Sequence, residues 1–128
     1  MSTDPRALIR ASFDNAVKRL EESLNQPKTE FIRDAAIQRF EFTFELAWKL
    51  LKATVEHRGL EGRSPRDAIK SAFSAGLIKE DPGWLAMIEL RNLTAHTYDE
   101  RLAERLFGEL PGVLARFKAL QARLAREA

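Results

Sequence analysis

The sequence predicts an all-α protein, an antiparallel up-and-down bundle of four to five helices. Three dipeptides place a capping residue directly before a proline, which is a common start of a helix; they are Asp4-Pro5, Ser64-Pro65 and Asp81-Pro82. Neither glycine nor proline occurs between Lys28 and Arg58, so this part of the chain can form one long helix.

The first helix is expected over residues 5–24, ending at Asn25-Gln26-Pro27. Its apolar residues recur at spacings of three and four, as on the buried face of a helix; they are Leu8, Ile9, Phe13, Val17, Leu20 and Leu24. A second helix should begin after Thr29 and continue to about His57, where Gly59 stops it.

Three further helices complete the prediction. The third is expected over residues 65–75 and the fourth over residues 82–96, and the last begins after its cap residue Asp99. Pro111 lies inside this last helix. Because proline has no N–H for the helical hydrogen bond, we expect the last helix to be kinked or broken there.

Residues 40–48 alternate apolar and other side chains almost perfectly, as a half-buried strand would. The alternative is a helix, because the segment continues without glycine or proline into the good helix formers of residues 49–53. We therefore predict a helix through this segment.

On that helix, five charged residues fall within an arc of about 80°, and most of the remaining circumference is apolar. They are Glu41, Glu45, Lys49, Lys52 and Glu56. A helix with so wide an apolar surface should be the central member of the bundle, and a partner subunit is one candidate for part of its cover. We interpret the charged strip as a solvent-exposed face, with Glu45 paired to Lys49 and Lys52 to Glu56, rather than as the wall of a site.

The composition limits the possible functions. The length fits one domain spanning residues 1–128, and 21 basic against 19 acidic residues give a net charge of +2. This balance argues against a protein that coats nucleic acid through bulk charge, so any nucleotide or RNA contact must be local. With no cysteine and two histidines far apart, a zinc site lacks ligands. We expect no metal and no cofactor, which leaves metal-independent chemistry or binding.

The segment of residues 1–14 mixes charged residues among its apolar ones and therefore does not resemble a signal peptide. No stretch of the sequence approaches the ~20 apolar residues that a membrane helix requires. We expect a cytoplasmic protein without a membrane partner.

A cluster of reactive side chains follows the apolar part of the predicted fourth helix. Arg91 offers a fork of donors for phosphate, and Asn92 can orient a neighbour or a phosphate. His96 can move a proton near neutral pH, and Tyr98 offers a ring and a hydroxyl. Because the helix is apolar almost all round, Arg91, Asn92 and His96, with Glu89, are expected as polar insertions in a buried surface.

Residue spacing leaves the role of this cluster open. Arg91 and His96 are separated by about 140° on a straight helix, so they cooperate only if the last turn unwinds or if they meet across a two-fold axis, which we favour. Otherwise the two form part of a buried hydrogen-bond network. Tyr98 taken alone is interpreted as a ring packed at a helix junction.

Two segments resemble a known family. Residues Arg91 to Tyr98 match the R-x4-H-x-Y motif of the HEPN superfamily, and Arg39 to Lys49 looks like the signature of its nucleotidyltransferase-substrate-binding branch. The resemblance implies an antiparallel bundle of four or five helices, commonly a homodimer. It also implies a partner protein, a minimal nucleotidyltransferase encoded beside it.

The resemblance implies two functional hypotheses. In the first, which we favour, the protein is the non-catalytic subunit that binds the nucleotide or other substrate around Arg91, Asn92, His96 and Tyr98. In the second, Arg91 and His96 at the dimer interface form a metal-independent ribonuclease, which the partner silences by attaching AMP to Tyr98. A third hypothesis, a non-catalytic helical interaction module, applies if the cluster is buried and fully hydrogen-bonded. Whether the protein is an enzyme is thus left open by the sequence.

Overall fold

The computed structural model describes residues 4–127, which form five α-helices and no strand. Between α4 and α5 lies a short 3-10 turn, Thr94–His96. The helices are α1 Pro5–Leu24, α2 Glu30–His57, α3 Pro65–Ser74, α4 Pro82–Leu93 and α5 Glu100–Ala125. The predicted all-α class and the number of helices are confirmed.

Each helix begins at a capping side chain that accepts a hydrogen bond from a backbone N–H two or three residues on. The donor–acceptor distances lie between 2.9 and 3.1 Å, and the caps are Asp4, Thr29, Ser64, Asp81 and Asp99. Such a cap typically stabilises a helix by about 1 kcal/mol. The helix starts are therefore fixed by local chemistry that the sequence displays.

The first three helices end close to their predicted limits. Gly59 and Gly76 follow α2 and α3 with φ angles of 82° and 73°, the left-handed conformation that glycine adopts without strain. The alternating segment of residues 40–48 lies entirely within α2, so the helix prediction is confirmed there. The strand alternative is wrong.

The second helix, α2, is the central element, because it packs against each of the other four helices. Phe40, Phe44 and Ala47 of the alternating segment are fully buried on it. Aromatic rings of three other positions meet nearby in the core: Phe117 packs edge-on against Phe13 at 5.6 Å and against Trp84 at 6.0 Å. The prediction of a central α2 is confirmed.

Side-chain contacts give the directions of the helices. Arg33 and Arg58, near the two ends of α2, pair with Glu100 and Glu127, near the two ends of the C-terminal segment, so α2 and α5 run parallel. Asp81 at the start of α4 pairs with Arg116 in the second half of α5, so α4 runs antiparallel to both.

The start of α5 contacts the first turn of α2, and the end of α4 contacts the middle of α2 at Glu41 and Glu45. We call this region, with residues 94–99 between α4 and α5, the motif end.

Of the two outcomes expected at Pro111, the break does not occur. The last helix runs without interruption through this residue, from Glu100 to Ala125. Pro111 is exposed, while Leu110 and Val113 on either side are buried in the core. Packing of the inner face therefore holds the helix together where one backbone hydrogen bond is lost.

The fourth helix is shorter than predicted. It ends at Leu93 instead of His96, and the 3-10 turn carries the chain away from it. The Thr94 hydroxyl donates a hydrogen bond to the Arg91 carbonyl at 2.6 Å and so binds one of the carbonyls freed at the helix end.

None of the helices within residues 4–127 combines the length and the apolarity that crossing a membrane would require.

Candidate functional site

Arg91 lies in the last turn of α4, with its side chain 28% exposed, and is held against α2. Its Nη1 donates to a carboxylate oxygen of Glu45, and its Nε donates to the Asn92 side-chain oxygen at 3.2 Å. The guanidinium carbon lies 5.7 Å from the centroid of the buried Phe44 ring, a cation–π distance. Arg91 is therefore fixed by contacts on two sides.

Glu45 is the acceptor that orients this arginine. It also accepts a hydrogen bond from the indole N–H of Trp48 at 3.1 Å, so two donors from different helices share its carboxylate. The expected pair with Lys49 is not among the ion pairs of residues 4–127, whereas Lys52 and Glu56 do pair at 2.8 Å. Only the second of the two predicted pairs is confirmed.

Glu41 makes a second connection between α2 and the motif segment. The Thr94 hydroxyl lies 2.6 Å from a carboxylate oxygen of Glu41, one helical turn from the Glu45 contact, so its single hydrogen is shared between Glu41 and the Arg91 carbonyl. The interpretation of the charged strip as a solvent-exposed face is confirmed for Glu41, which is exposed, and is wrong for Glu45, whose side chain is about one-third exposed. Both glutamates nevertheless contact residues 91–94. The sequence pointed to them only weakly, through the presence of both glutamates in the segment that resembles the family signature.

His96 and Tyr98 form a separate pair on the surface. Their rings lie edge to face with centroids 5.9 Å apart, and the Tyr98 hydroxyl lies 3.4 Å from His96 Nδ1. Tyr98 is 83% exposed, and Asn92 and His96 are exposed as well. The expectations of a buried polar cluster and of a Tyr98 ring packed at a helix junction are both wrong, because the chain leaves the core at Leu93.

The described part of the chain joins Arg91 to Asn92 and Glu45, and joins His96 to Tyr98. No hydrogen bond connects the two groups within residues 4–127. The unwinding that one of our two arrangements required is present as the 3-10 turn. The convergence of Arg91 and His96 across a two-fold axis stays a prediction.

A buried arginine fixes the start of α5, which begins two residues after Tyr98. The Arg33 side chain is only 4% exposed and donates to Glu100 at 2.7 Å and to Glu104 at 3.1 Å. These bonds, with one to Asp34, raise the pKa of Arg33, the bond to Glu100 having the largest effect. Hydrogen bonds from Lys28 and then Arg33 lower the pKa of Glu104. Residues 94–99 thus connect the end of α4, which Arg91 holds against α2, to the start of α5, which Arg33 holds against α2.

This geometry suits the binding of a phosphate. A guanidinium has five N–H donors, and the contacts of Arg91 to Glu45 and Asn92 use two of them. The other three donors make no hydrogen bond within residues 4–127, and the Asn92 side chain beside them is exposed. Within residues 4–127, no group of three histidine, aspartate or glutamate side chains is arranged to hold a metal ion.

The model of the protein family described as nucleotidyltransferase substrate binding protein like matches residues 8–126. The chain belongs to this family. The match spans α2, α4 and the turn after α4, which carry the two segments whose resemblance we described, so that resemblance is confirmed.

Solved structures show the same fold. A protein of Thermus thermophilus is 40% identical, with a TM-score of 0.82 over 88% of this chain and 98% of that one. HI0074 of Haemophilus influenzae is 26% identical, with a TM-score of 0.80 over 90% of this chain and 98% of its own. HI0074 is described as having the fold of a substrate binding domain of a nucleotidyltransferase.

One relative is described as an enzyme. HepT of Haemophilus influenzae, described as a probable ribonuclease, is 31% identical over 84 residues. The matched stretch covers 62% of this chain and 58% of that relative. This chain is thus similar both to a protein described by substrate binding and to one described by RNA cleavage.

Proposed function

We propose that this protein is the substrate-binding subunit of a two-component system and pairs with a minimal nucleotidyltransferase. The nucleotide or other substrate binds at the motif end, on the surface formed by Arg91, Asn92, His96 and Tyr98. The family match and the description of HI0074 support the pairing. The observation that carries the proposal is the position of Arg91, fixed by Glu45 and Phe44 with donors left over at an exposed surface.

Each side chain has a role that its geometry supports. Arg91 binds a phosphate through a charge-assisted pair of hydrogen bonds. Asn92, exposed beside it, offers its amide N–H groups because its oxygen already accepts from Arg91. The His96 and Tyr98 pair presents a ring face and a hydroxyl to the same ligand.

The pairing is tested by co-expressing a tagged form of this chain with the nucleotidyltransferase encoded beside it. We expect the untagged partner to elute with the tagged protein, and AMP binding by equilibrium dialysis to depend on Arg91. Arg91→Ala should lose nucleotide binding and keep its fold by circular dichroism. Failure of the partner to co-elute, together with wild-type protein that binds no nucleotide, would contradict the proposal.

A ribonuclease is the second candidate, favoured by the exposure of His96 and by the similarity to the probable ribonuclease HepT. In this function His96 takes the proton of a ribose 2′-hydroxyl, and the 2′-oxygen attacks the adjacent phosphorus to form a 2′,3′-cyclic phosphate. The bond to the 5′-oxygen breaks, and this oxygen takes a proton from water to leave as a hydroxyl. Arg91 stabilises the charge that develops on the phosphate oxygens. The RNA supplies its own nucleophile, so these steps need no metal.

This candidate has its own test. Incubation with total RNA in excess chelator should yield cleavage by the wild type and none by His96→Ala. If the partner silences the enzyme, ATP, magnesium and the nucleotidyltransferase should add the mass of AMP to the wild type and not to Tyr98→Phe. Thr97→Val, which removes the neighbouring hydroxyl and keeps Tyr98, is the matched control. The third hypothesis, a purely structural module, required a buried cluster and is not proposed.

A further inference from the structure

A groove between α1 and α2 opens beside the motif surface. Its volume is about 440 Å³, within the range of small-molecule pockets. It is lined from α1 by Ser12, Asn15 and Arg19 and from α2 by Phe42, Glu45 and Leu46. Glu45 is shared, since the carboxylate that lines this groove also accepts the hydrogen bond of Arg91. A ligand on Arg91 can therefore extend into the groove.

Arg19 is the cationic group of this groove. Its guanidinium carbon lies 5.3 Å from the centroid of the Phe42 ring, much as Arg91 lies over Phe44. Arg91 has a carboxylate partner, whereas the guanidinium of Arg19 makes no ion pair or hydrogen bond to another side chain of residues 4–127. Its N–H donors are thus available while its plane is held on an aromatic ring.

Among the residues that the structure describes, Arg19 is the one charged side chain lining the groove that has no partner of opposite charge. The carboxylate of Glu45 is matched by Arg91 and by the indole N–H of Trp48. The groove therefore combines one unmatched cation, Arg19, with an apolar wall of Phe42 and Leu46, which suits a phosphate joined to a base or ribose.

We propose that this groove is a second phosphate subsite, in which Arg19 binds a phosphate of the same ribonucleotide ligand that contacts Arg91. This inference rests on the proposed function and extends its site from the end of α4 onto α1. The shared chemistry is a phosphate or phosphodiester group. Its source is either a single-stranded RNA or a free nucleotide.

The experiment compares the wild-type protein with Arg19→Ala, Arg19→Lys and the control Lys18→Ala, an exposed neighbour on α1. The probes are a fluorescent 2′-O-methyl single-stranded RNA, which lacks the 2′-hydroxyl needed for cleavage, and AMP. We expect Arg19→Ala to weaken binding roughly tenfold and to lower the slope of log K against log salt by about 0.7 for one single-strand phosphate. Arg19→Lys should keep the slope, and Lys18→Ala should leave both quantities unchanged.

The two arms identify the source of the phosphate. Dependence on Arg19 for the RNA probe supports an RNA, and dependence for AMP alone supports a free nucleotide. An unchanged slope and affinity in Arg19→Ala, with binding lost in Arg91→Ala, overturns the subsite while the proposed function stands. A changed oligomeric state by light scattering with unchanged binding shows instead that the groove is a protein interface, which also overturns it. Wild-type protein that binds neither probe rejects both proposals.

Discussion

Glu45 shows how much a single residue contributes to the motif end. Its carboxylate accepts from Arg91 of α4 and from Trp48 of its own helix, and is about one-third exposed. Glu45→Ala leaves a half-buried guanidinium and an indole N–H without this acceptor. Because the site is partly screened by water, we expect the free energy of unfolding to fall by roughly 1–2 kcal/mol, measured by urea titration.

Glu56→Ala is the matched control for this prediction. Glu56 lies on the same helix and pairs with Lys52 four residues away at 2.8 Å, with both side chains well exposed. Such a pair typically contributes about 0.3–0.5 kcal/mol. Equal losses in the two variants would show that Glu45 is an ordinary surface charge and that Arg91 does not depend on it for its position.

At the scale of one element, α5 tolerates three residues that disfavour helices, Gly108, Pro111 and Gly112. Gly108 and Pro111 are both exposed, and a Cβ added at Gly108 meets no atom within 4 Å. Pro111→Ala restores a backbone donor to the carbonyl of Phe107. After allowance for the greater freedom of the unfolded chain, we expect it to raise the free energy of unfolding by roughly 1–3 kcal/mol.

Gly108→Ala gives the comparison for α5, because it changes helix propensity alone and should stabilise by about 0.5–1 kcal/mol. Thermal unfolding of the two variants separates the effects. If Pro111→Ala raises the stability no more than Gly108→Ala does, then the missing hydrogen bond at Pro111 does not destabilise the packed helix.

The elements also show what the sequence could and could not predict. Helix starts follow from cap residues such as Ser64, and helix ends from glycines such as Gly59, because these signals act over a few residues. The contact of Glu45 with Arg91 joins positions 46 residues apart. It depends on how α2 and α4 pack, which periodicity does not reveal. The exposure of His96 was missed for a related reason, since α4 ends at Leu93, before the residue where its apolar pattern suggested it would end.

Across the whole molecule, ion pairs fix α5 to α2 and to α4. Glu104 binds Lys28 and Arg33, and Asp81 binds Arg116 at 2.7 Å. Bonds from Arg116 and the Gly83 N–H lower the pKa of Asp81, as those from Lys28 and Arg33 lower that of Glu104. A lowered pKa in the folded state adds stability above the ordinary carboxyl pKa. That stability is lost as the pH falls through the folded value, so the free energy of unfolding should decline below about pH 4.

The double variant Asp81→Asn, Glu104→Gln tests this acid dependence. Asparagine caps helices about as well as aspartate, so the change at the start of α4 removes the charge and keeps the cap. Urea titrations from neutral to acid pH should show the double variant less stable than the wild type at pH 7 and converging with it at the acid limit. A difference in the free energy of unfolding between the two proteins that is the same at every pH would show that the charges of Asp81 and Glu104 do not cause the acid dependence.

Assembly of two copies is the last prediction at this scale, since Arg91 and His96 are not joined within the described chain. If they meet across a two-fold axis, Arg91→Ala and His96→Ala should each lose metal-independent RNA cleavage as a homodimer. Mixing them after mild unfolding gives heterodimers in which one site has both native side chains, so roughly a quarter of the wild-type activity returns. If each protomer supplies both groups to its own site, every site in the mixture lacks one of them and no activity returns. Light scattering on the same samples establishes that the mixture is dimeric, so the outcome reports how the arginine and the histidine are distributed between the two chains.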